Sequence, residues 1–166
     1  QAFESRIRAL ARSQQMLAEG GWDGAPLRTV IGRALAPYGD EGTRVALDGL
    51  PLRLAAPAVV SLGLAFHELA TNAAKHGALS VPGGRVSVQW TRRPAAGGAA
   101  VLEIVWREAG GPPVAPPRRQ GFGSRLLEQS LPYEFDCTVT RDFAPAGLEC
   151  RIRLPLTARV LGLDAA

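Results

Sequence analysis

His67-Glu68-Leu69-Ala70-Thr71-Asn72-Ala73-Ala74-Lys75-His76-Gly77 ends the longest helical pattern in the chain. The pattern starts at Pro57, and Val59, Leu62, Phe66, Leu69, Ala70 and Ala73 form its apolar face before Gly77 stops it. At about 100° per residue, Glu68, Asn72 and Lys75 fall at i, i+4 and i+7 and share one arc, while Leu62, Phe66, Leu69 and Ala73 point away. An acid, an amide and an ammonium aligned on one side also describe an ordinary solvated helix face. The stripe takes its meaning from what accompanies it.

Downstream, Val86, Val88 and Trp90 alternate with Arg85, Ser87 and Gln89, and Leu102, Ile104 and Trp106 alternate with Glu103 and Val105, which predicts a hairpin turning between Pro94 and Gly98. Glu108-Ala109-Gly110-Gly111-Pro112 follows where the second strand ends. That places a carboxylate at the mouth of a sheet, beside glycines that let a ligand approach the backbone. Residues 109–120 hold Gly, Pro and Arg without a period, and Pro112, Pro113, Pro116 and Pro117 bar regular structure, so they read as a loop long enough to serve as a lid. Gly121-Phe122-Gly123-Ser124 then opens a short helix running to Leu131, and free N–H groups at a helix start attract phosphate. Two last strands, around Cys137 and Val139 and from Leu148 to Leu154, join at Pro145-Ala146-Gly147.

Upstream, Phe3, Ile7, Leu10 and Leu17 recur among Arg6, Arg8, Arg12 and Gln15, predicting an amphipathic helix over 3–18 that Gly20-Gly21 ends. After a loop holding Trp22, a second helix has Asp23 near its cap, Pro26 in its first turn and Leu27, Val30, Ile31, Ala34 and Leu35 as its stripe, stopping at Pro37. Val45 with Leu47, then Leu52 with Leu54, predict two short strands around a turn at Gly49. This order of elements predicts an α/β fold, a two-layer sandwich in which helices cover one face of a mixed β-sheet, preceded by an amphipathic helix.

Composition bounds the rest. At 166 residues the chain is one domain, or one with a short appendage. With 46% hydrophobic and 20% charged residues it is too apolar for a disordered segment. No apolar run approaches the roughly 18–20 residues of a membrane span, and the stretch from Gln1 to Arg12 is a charged helical pattern rather than a signal peptide, so the expectation is a cytoplasmic segment with no membrane partner. Cys137 and Cys150 have neither a Cys-x-x-Cys partner nor a nearby His, which predicts buried thiols. A net charge of +4 invites nucleic acid, but aromatics are only 6% and the arginines are scattered, so no nucleic-acid partner is expected.

The ordered set resembles the Bergerat-type ATP-binding fold shared by sensor histidine kinases, type II topoisomerases and mismatch-repair ATPases: Glu68-x-x-x-Asn72 on a helix, an acid-x-Gly loop after a strand, then Gly121-x-Gly123 at a helix start. Within that fold, residues 67–80 followed by Trp106-Arg107-Glu108 resemble the HWE subfamily of bacterial histidine kinases, named for that His and that Trp-x-Glu. Gly110-Gly111-Pro112, Gly121-Phe122-Gly123-Ser124 and Pro145-Ala146-Gly147-Leu148 extend the likeness over roughly residues 3–156. The resemblance implies two cofactors, ATP and Mg2+. It makes Asn72 the side-chain ligand of the Mg2+, Glu68 a general base, and Lys75 a neutraliser of phosphate charge. Glu108 would accept from the adenine amino group, Gly110 and Gly111 would line the base pocket, and Gly121, Phe122, Gly123 and Ser124 would close over the phosphates. His67 and Trp106 are hallmarks read as orienting or packing residues, His76 and Trp90 as packing residues, and Arg118 and Arg119 as lid residues in a solvated loop.

The implied activity is a protein histidine kinase passing the γ-phosphoryl to a histidine outside this chain and onward to a response regulator. Two rival readings are a stand-alone Bergerat-fold ATPase and a degenerate nucleotide-sensing module that binds a partner. Residues 1–20 would be the C-terminal helix of a dimerisation and phosphotransfer element, 21–160 the ATP-binding domain and 161–166 a tail, with a homodimer contact through 3–18. The chain opens at Gln1 rather than a methionine, so upstream phosphoacceptor and sensory segments are expected.

Overall fold

The computed structural model describes residues 2–19, 23–94, 100–115 and 121–162. Helix α1 (Ala2–Glu19) leads to a three-residue strand β1 (Gly24–Pro26), helix α2 (Leu27–Leu35), strands β2 (Val45–Gly49) and β3 (Arg53–Ala55), and the long helix α3 (Ala56–Lys75). A 3-10 turn (Ala78–Ser80) precedes the hairpin β4 (Arg85–Pro94) and β5 (Ala100–Ala109). A helical run over 122–135 comprises α4 (Phe122–Arg125), a π turn (Leu126–Ser130) and α5 (Leu131–Phe135), and the hairpin β6 (Thr138–Ala144) and β7 (Gly147–Pro155) follows.

Five strands form one sheet in the order β2-β4-β5-β7-β6. The β2–β4 pair is parallel and the other three are antiparallel, so the sheet is mixed as expected. Period-2 side-chain alternation puts Val86, Val88 and Trp90 of β4, Leu102, Ile104 and Trp106 of β5, and Cys150, Ile152 and Leu154 of β7 on one buried face. There they meet the stripes of α2 (Leu27, Val30, Ile31, Leu35) and α3 (Val59, Leu62, Phe66, Leu69), giving a two-layer core. The other sheet face carries charge: Glu103, itself buried, is ringed by Arg93, Arg151 and Arg153 at 3.5, 3.4 and 3.1 Å. Arginine stems cover apolar surface while their heads stay wet, and Val105 is buried on that face.

Three local expectations are corrected. Pro26 does not sit in the first turn of the second helix: Gly24–Pro26 is a strand paired antiparallel with β3, and α2 begins at Leu27, with Asp23 ahead of the strand. The strands at 45–49 and 53–55 do not pair around Gly49. Gly49 belongs to β2 and lies under the Trp90 ring, where an added Cβ would stand 2.3 Å from the indole carbons. The strand over 137–139 starts one residue later, with Cys137 before β6.

On α1, Ser13 and Leu17 are buried, whereas Ile7 is 51% and Leu10 41% exposed. Leu161 and Gly162, the first residues of the expected tail, join β3 through a bridge to Leu54 and a Gly162 N–H donating to Arg53 O at 3.0 Å. Trp22, Arg118 and Arg119 lie outside the described residues.

Candidate functional site

A cavity of about 540 Å³ opens between α3, the end of β5, residues 113–115, the start of the 122–135 helical run and the edge pair β6–β7. Pockets of a few hundred cubic ångströms with a few convergent polar groups are the usual form of small-molecule sites. Of the expected site residues, Glu68, Asn72, Lys75, Glu108, Gly121, Phe122, Gly123 and Ser124 all line it, although they come from three separate stretches of chain.

The helical arc read from the sequence supplies one wall. Glu68 is buried, whereas Asn72 and Lys75 are exposed to the opening. Lys75 occupies the last turn of α3, where a cation complements the negative end of the helix dipole. His76 caps the helix, its N–H donating to Asn72 O at 2.8 Å, and its side chain sits exposed at the rim of the cavity. His67 is buried and does not line the cavity. The helix start approaches this wall closely: a Cβ on Gly123 would come 2.8 Å from Glu68 Oε2, so glycine is what lets the segment pack there.

Glu108 is held from two sides. Its Oε2 accepts from the Ala78 backbone N–H at 2.9 Å and its Oε1 from the Trp106 indole N–H at 3.2 Å. Burial pushes its pKa above the ordinary carboxylate value, while those two hydrogen bonds pull the other way. An ionised carboxylate has about four lone-pair sites, so two protein donors leave capacity for a ligand donor. Gly77 makes room for the carboxylate itself: a Cβ there would fall 2.0 Å from Glu108 Oε2.

Gly110 and Gly111 are not among the cavity-lining residues. Gly110 has φ +71°, and Gly111 lies against the Ala78 backbone, where a Cβ would come 2.5 Å from its Cα. Gly111 thereby supports the segment whose N–H holds Glu108, while Gly110 lies against Gly83 and Gly84. Trp106 is buried in the sheet row beneath Glu108. Trp90 is likewise structural, its indole N–H donating to Leu50 O at 2.8 Å.

Sequence reading did not assign Thr71, Arg141, Phe143 or Leu148 to the site, yet all four line the cavity. Thr71 Oγ1 is 3.4 Å from the Tyr38 hydroxyl. Arg141 and Phe143 are two apart on β6 and opposite Cys150 and Leu148 of β7, which turns them to the helix side of the sheet. That even spacing was their one signal, and it acquires meaning only with the strand register. Among the described residues no group of three His, Cys, Asp or Glu side chains is placed to hold a metal. The sequence expectation for Mg2+ rests instead on the amide oxygen of Asn72.

Comparison with known proteins bears on the fold and on the sequence family. The HWE histidine kinase family model matches residues 1–51. A blue-light-activated histidine kinase of Brucella ovis is 36% identical over 159 residues, 95% of this chain and 32% of that protein. The chain thus spans about a third of the length of the curated relatives it matches. Among solved structures, the histidine kinase domain from the Erythrobacter litoralis EL346 blue-light activated histidine kinase superposes with a TM-score of 0.69 at 20% identity, over 96% of this chain and 76% of that one. The mycobacterial sensor histidine kinase MprB superposes with a TM-score of 0.53 at 22% identity, over 84% and 99%. At such identities the structural likeness speaks for the fold, and the sequence match along nearly the whole chain speaks for descent. By sequence the chain is similar to the HWE histidine kinases, and by structure it has the fold of histidine kinase domains.

Proposed function

We propose that the cavity binds Mg-ATP and that the chain passes the γ-phosphoryl group to a histidine outside residues 1–166, for onward transfer to an aspartate of a response regulator. The observation that carries the reading is that one cavity is lined both by Glu108 and by the Glu68, Asn72 and Lys75 arc. In this reading Glu108 accepts from the adenine amino group at one end of the ligand and the arc serves the phosphates, with Gly121, Phe122, Gly123 and Ser124 closing over them. Lys75 supplies a point charge for phosphate oxygens. Asn72 offers a neutral amide oxygen, which suits Mg2+, an ion that takes one or two protein ligands and keeps waters and phosphate oxygens for the rest. When bound, the metal spreads the negative charge of the phosphates. In this reading Glu68, as general base, takes the proton from the attacking imidazole as the new N–P bond forms and the β,γ-bridging P–O bond breaks, releasing ADP. No protein nucleophile is needed in the cavity, because phosphoryl transfer is mostly positioning and charge stabilisation.

Residues 1–20 serve, in this proposal, as the C-terminal helix of a dimerisation and phosphotransfer element ahead of an ATP-binding domain over 21–160, in the cytoplasm. The exposed Ile7 and Leu10 of α1 support an apolar contact there with a second copy. The decisive test supplies the upstream phosphoacceptor segment, joined to this chain, together with radiolabelled ATP. Acid-labile, base-stable label on the acceptor histidine is the expected result. Release of inorganic phosphate with no labelled protein would instead establish an ATPase.

A further inference from the structure

Arg141 is the one described residue of the cavity wall whose charge has no part in the proposed function. It projects from the edge strand β6, its side chain is only 12% exposed, and its guanidinium lies 5.4 Å from the Phe143 ring centroid. Two contacts orient its head: an ion pair with Glu128 in the π turn, and Ser124 Oγ at 3.4 Å from both terminal nitrogens. Both partners belong to the helical run that Gly121 opens, the segment the proposed function places over the phosphates. Neither donor to Glu108 comes from Arg141, whose head sits instead beside Ser124 and Glu128.

Charge counting gives it a task. The cavity wall holds two acidic side chains, Glu68 and Glu108, and two basic ones, Lys75 and Arg141. Without Arg141 that wall would present a net negative charge to a triphosphate, which is itself strongly negative. A guanidinium fork fits phosphate oxygens through two parallel hydrogen bonds, and such charge-assisted contacts are about twice as strong as neutral ones. Glu128 is more exposed, at 38%, than the arginine it holds. A ligand of higher charge entering the cavity can therefore draw the guanidinium away while Glu128 turns to water.

We propose that Arg141 is a phosphate-binding residue of this site, kept in place by Glu128 until nucleotide displaces the carboxylate. The inference rests on the proposed nucleotide function, and the experiment separates the two. Calorimetric titrations with ATP and with adenosine are made on the wild-type chain and on Arg141→Ala, Arg141→Lys and Glu128→Gln. Arg141→Ala is expected to weaken ATP binding roughly tenfold or more, the size of one lost charge-assisted contact, and to leave adenosine binding unchanged. Arg141→Lys restores part of the loss. Glu128→Gln binds ATP more tightly than wild type, because the competing carboxylate is gone. Should Arg141→Ala bind ATP as wild type does, or should Glu128→Gln weaken ATP and adenosine alike, Arg141 is only a staple between β6 and the helical run and the proposal is overturned. Should Arg141→Ala fail to fold, the opposite shifts of Arg141→Lys and Glu128→Gln still decide it. A wild-type chain that binds neither ligand overturns the nucleotide reading and this inference together.

Discussion

The Trp106 indole N–H donates to Glu108 Oε1 at 3.2 Å, joining two residues that stand two apart on β5 and project from the same face of the sheet. This bond gives a physical reason for a Trp-x-Glu pair. The carboxylate alone would be a costly buried charge. The indole supplies a donor from inside the core while its ring fills the row below, and the Ala78 N–H supplies a second donor at 2.9 Å. The carboxylate is therefore oriented before any ligand arrives.

Replacing Trp106 with Phe keeps most of the ring packing and removes that donor. The expected cost is about 1–3 kcal/mol of stability, the range for a hydrogen bond to a charged, buried group. ATP affinity is expected to fall with it, because Glu108 gains rotational freedom. Chemical denaturation and a nucleotide titration on the same variant measure the two effects. A variant as stable and as tight-binding as wild type would show that the indole contact does not position the carboxylate.

The pH dependence of Glu108 follows from its burial, which raises its folded-state pKa above the ordinary value of 4.5. A carboxyl group with a raised folded pKa binds its proton more tightly in the folded state. Its contribution to stability is thus fully present below the unfolded pKa and is lost as pH rises through the folded pKa. Glu108→Gln removes this titration. The stability difference between wild type and Glu108→Gln should shift in favour of the wild type as pH falls from neutral towards 4.5, as measured by urea unfolding at a series of pH values. A difference that stays constant over that window would place Glu108 in an ordinary solvated environment.

Asn72 is exposed at the cavity mouth, so Asn72→Ala should change stability by no more than about 0.5 kcal/mol. Its effect belongs to binding: the gain in ATP affinity that Mg2+ confers on the wild type should disappear. Titrations with and without Mg2+ read this directly, and an unchanged metal dependence would move the metal ligand elsewhere.

Neither histidine of this chain is placed to accept a phosphoryl group. His67 is buried outside the cavity, and His76 caps the helix that also carries Asn72 and Glu68. In-line transfer needs the acceptor nitrogen at near-contact distance on the far side of the γ-phosphate, which residues fixed beside the proposed phosphate site on one helix cannot reach. Residues 1–166 with radiolabelled ATP should therefore show no acid-labile label, and label on either histidine would refute this.

Local patterns were legible in the sequence and non-local ones were not. The arc of Glu68, Asn72 and Lys75 follows from helical periodicity alone, and the β4–β5 and β6–β7 hairpins follow from alternation bounded by turn residues. Strand β1 is three residues, Gly24-Ala25-Pro26, with no alternation, and it exists because β3 lies beside it. The parallel pairing of β2 with β4 spans a helix and had no local mark. Glycine permits many placements without choosing one, so Gly110 and Gly111 could equally have faced a ligand or, as they do, the 77–84 turn. Arg141 entered the site only through the register of an edge strand.

The most direct test of the account is a calorimetric comparison of ATP and GTP on the wild-type chain and on Glu108→Ala, in the presence of Mg2+. A cavity that reads the base through Glu108 binds ATP in preference to GTP, since adenine offers an amino group where guanine offers a carbonyl. The wild type should show that preference, and Glu108→Ala should lose both ATP affinity and most of the discrimination. No heat of ATP binding to the wild type, or an ATP-to-GTP affinity ratio that Glu108→Ala leaves unaltered, would contradict the assignment of this cavity as an adenine-nucleotide site.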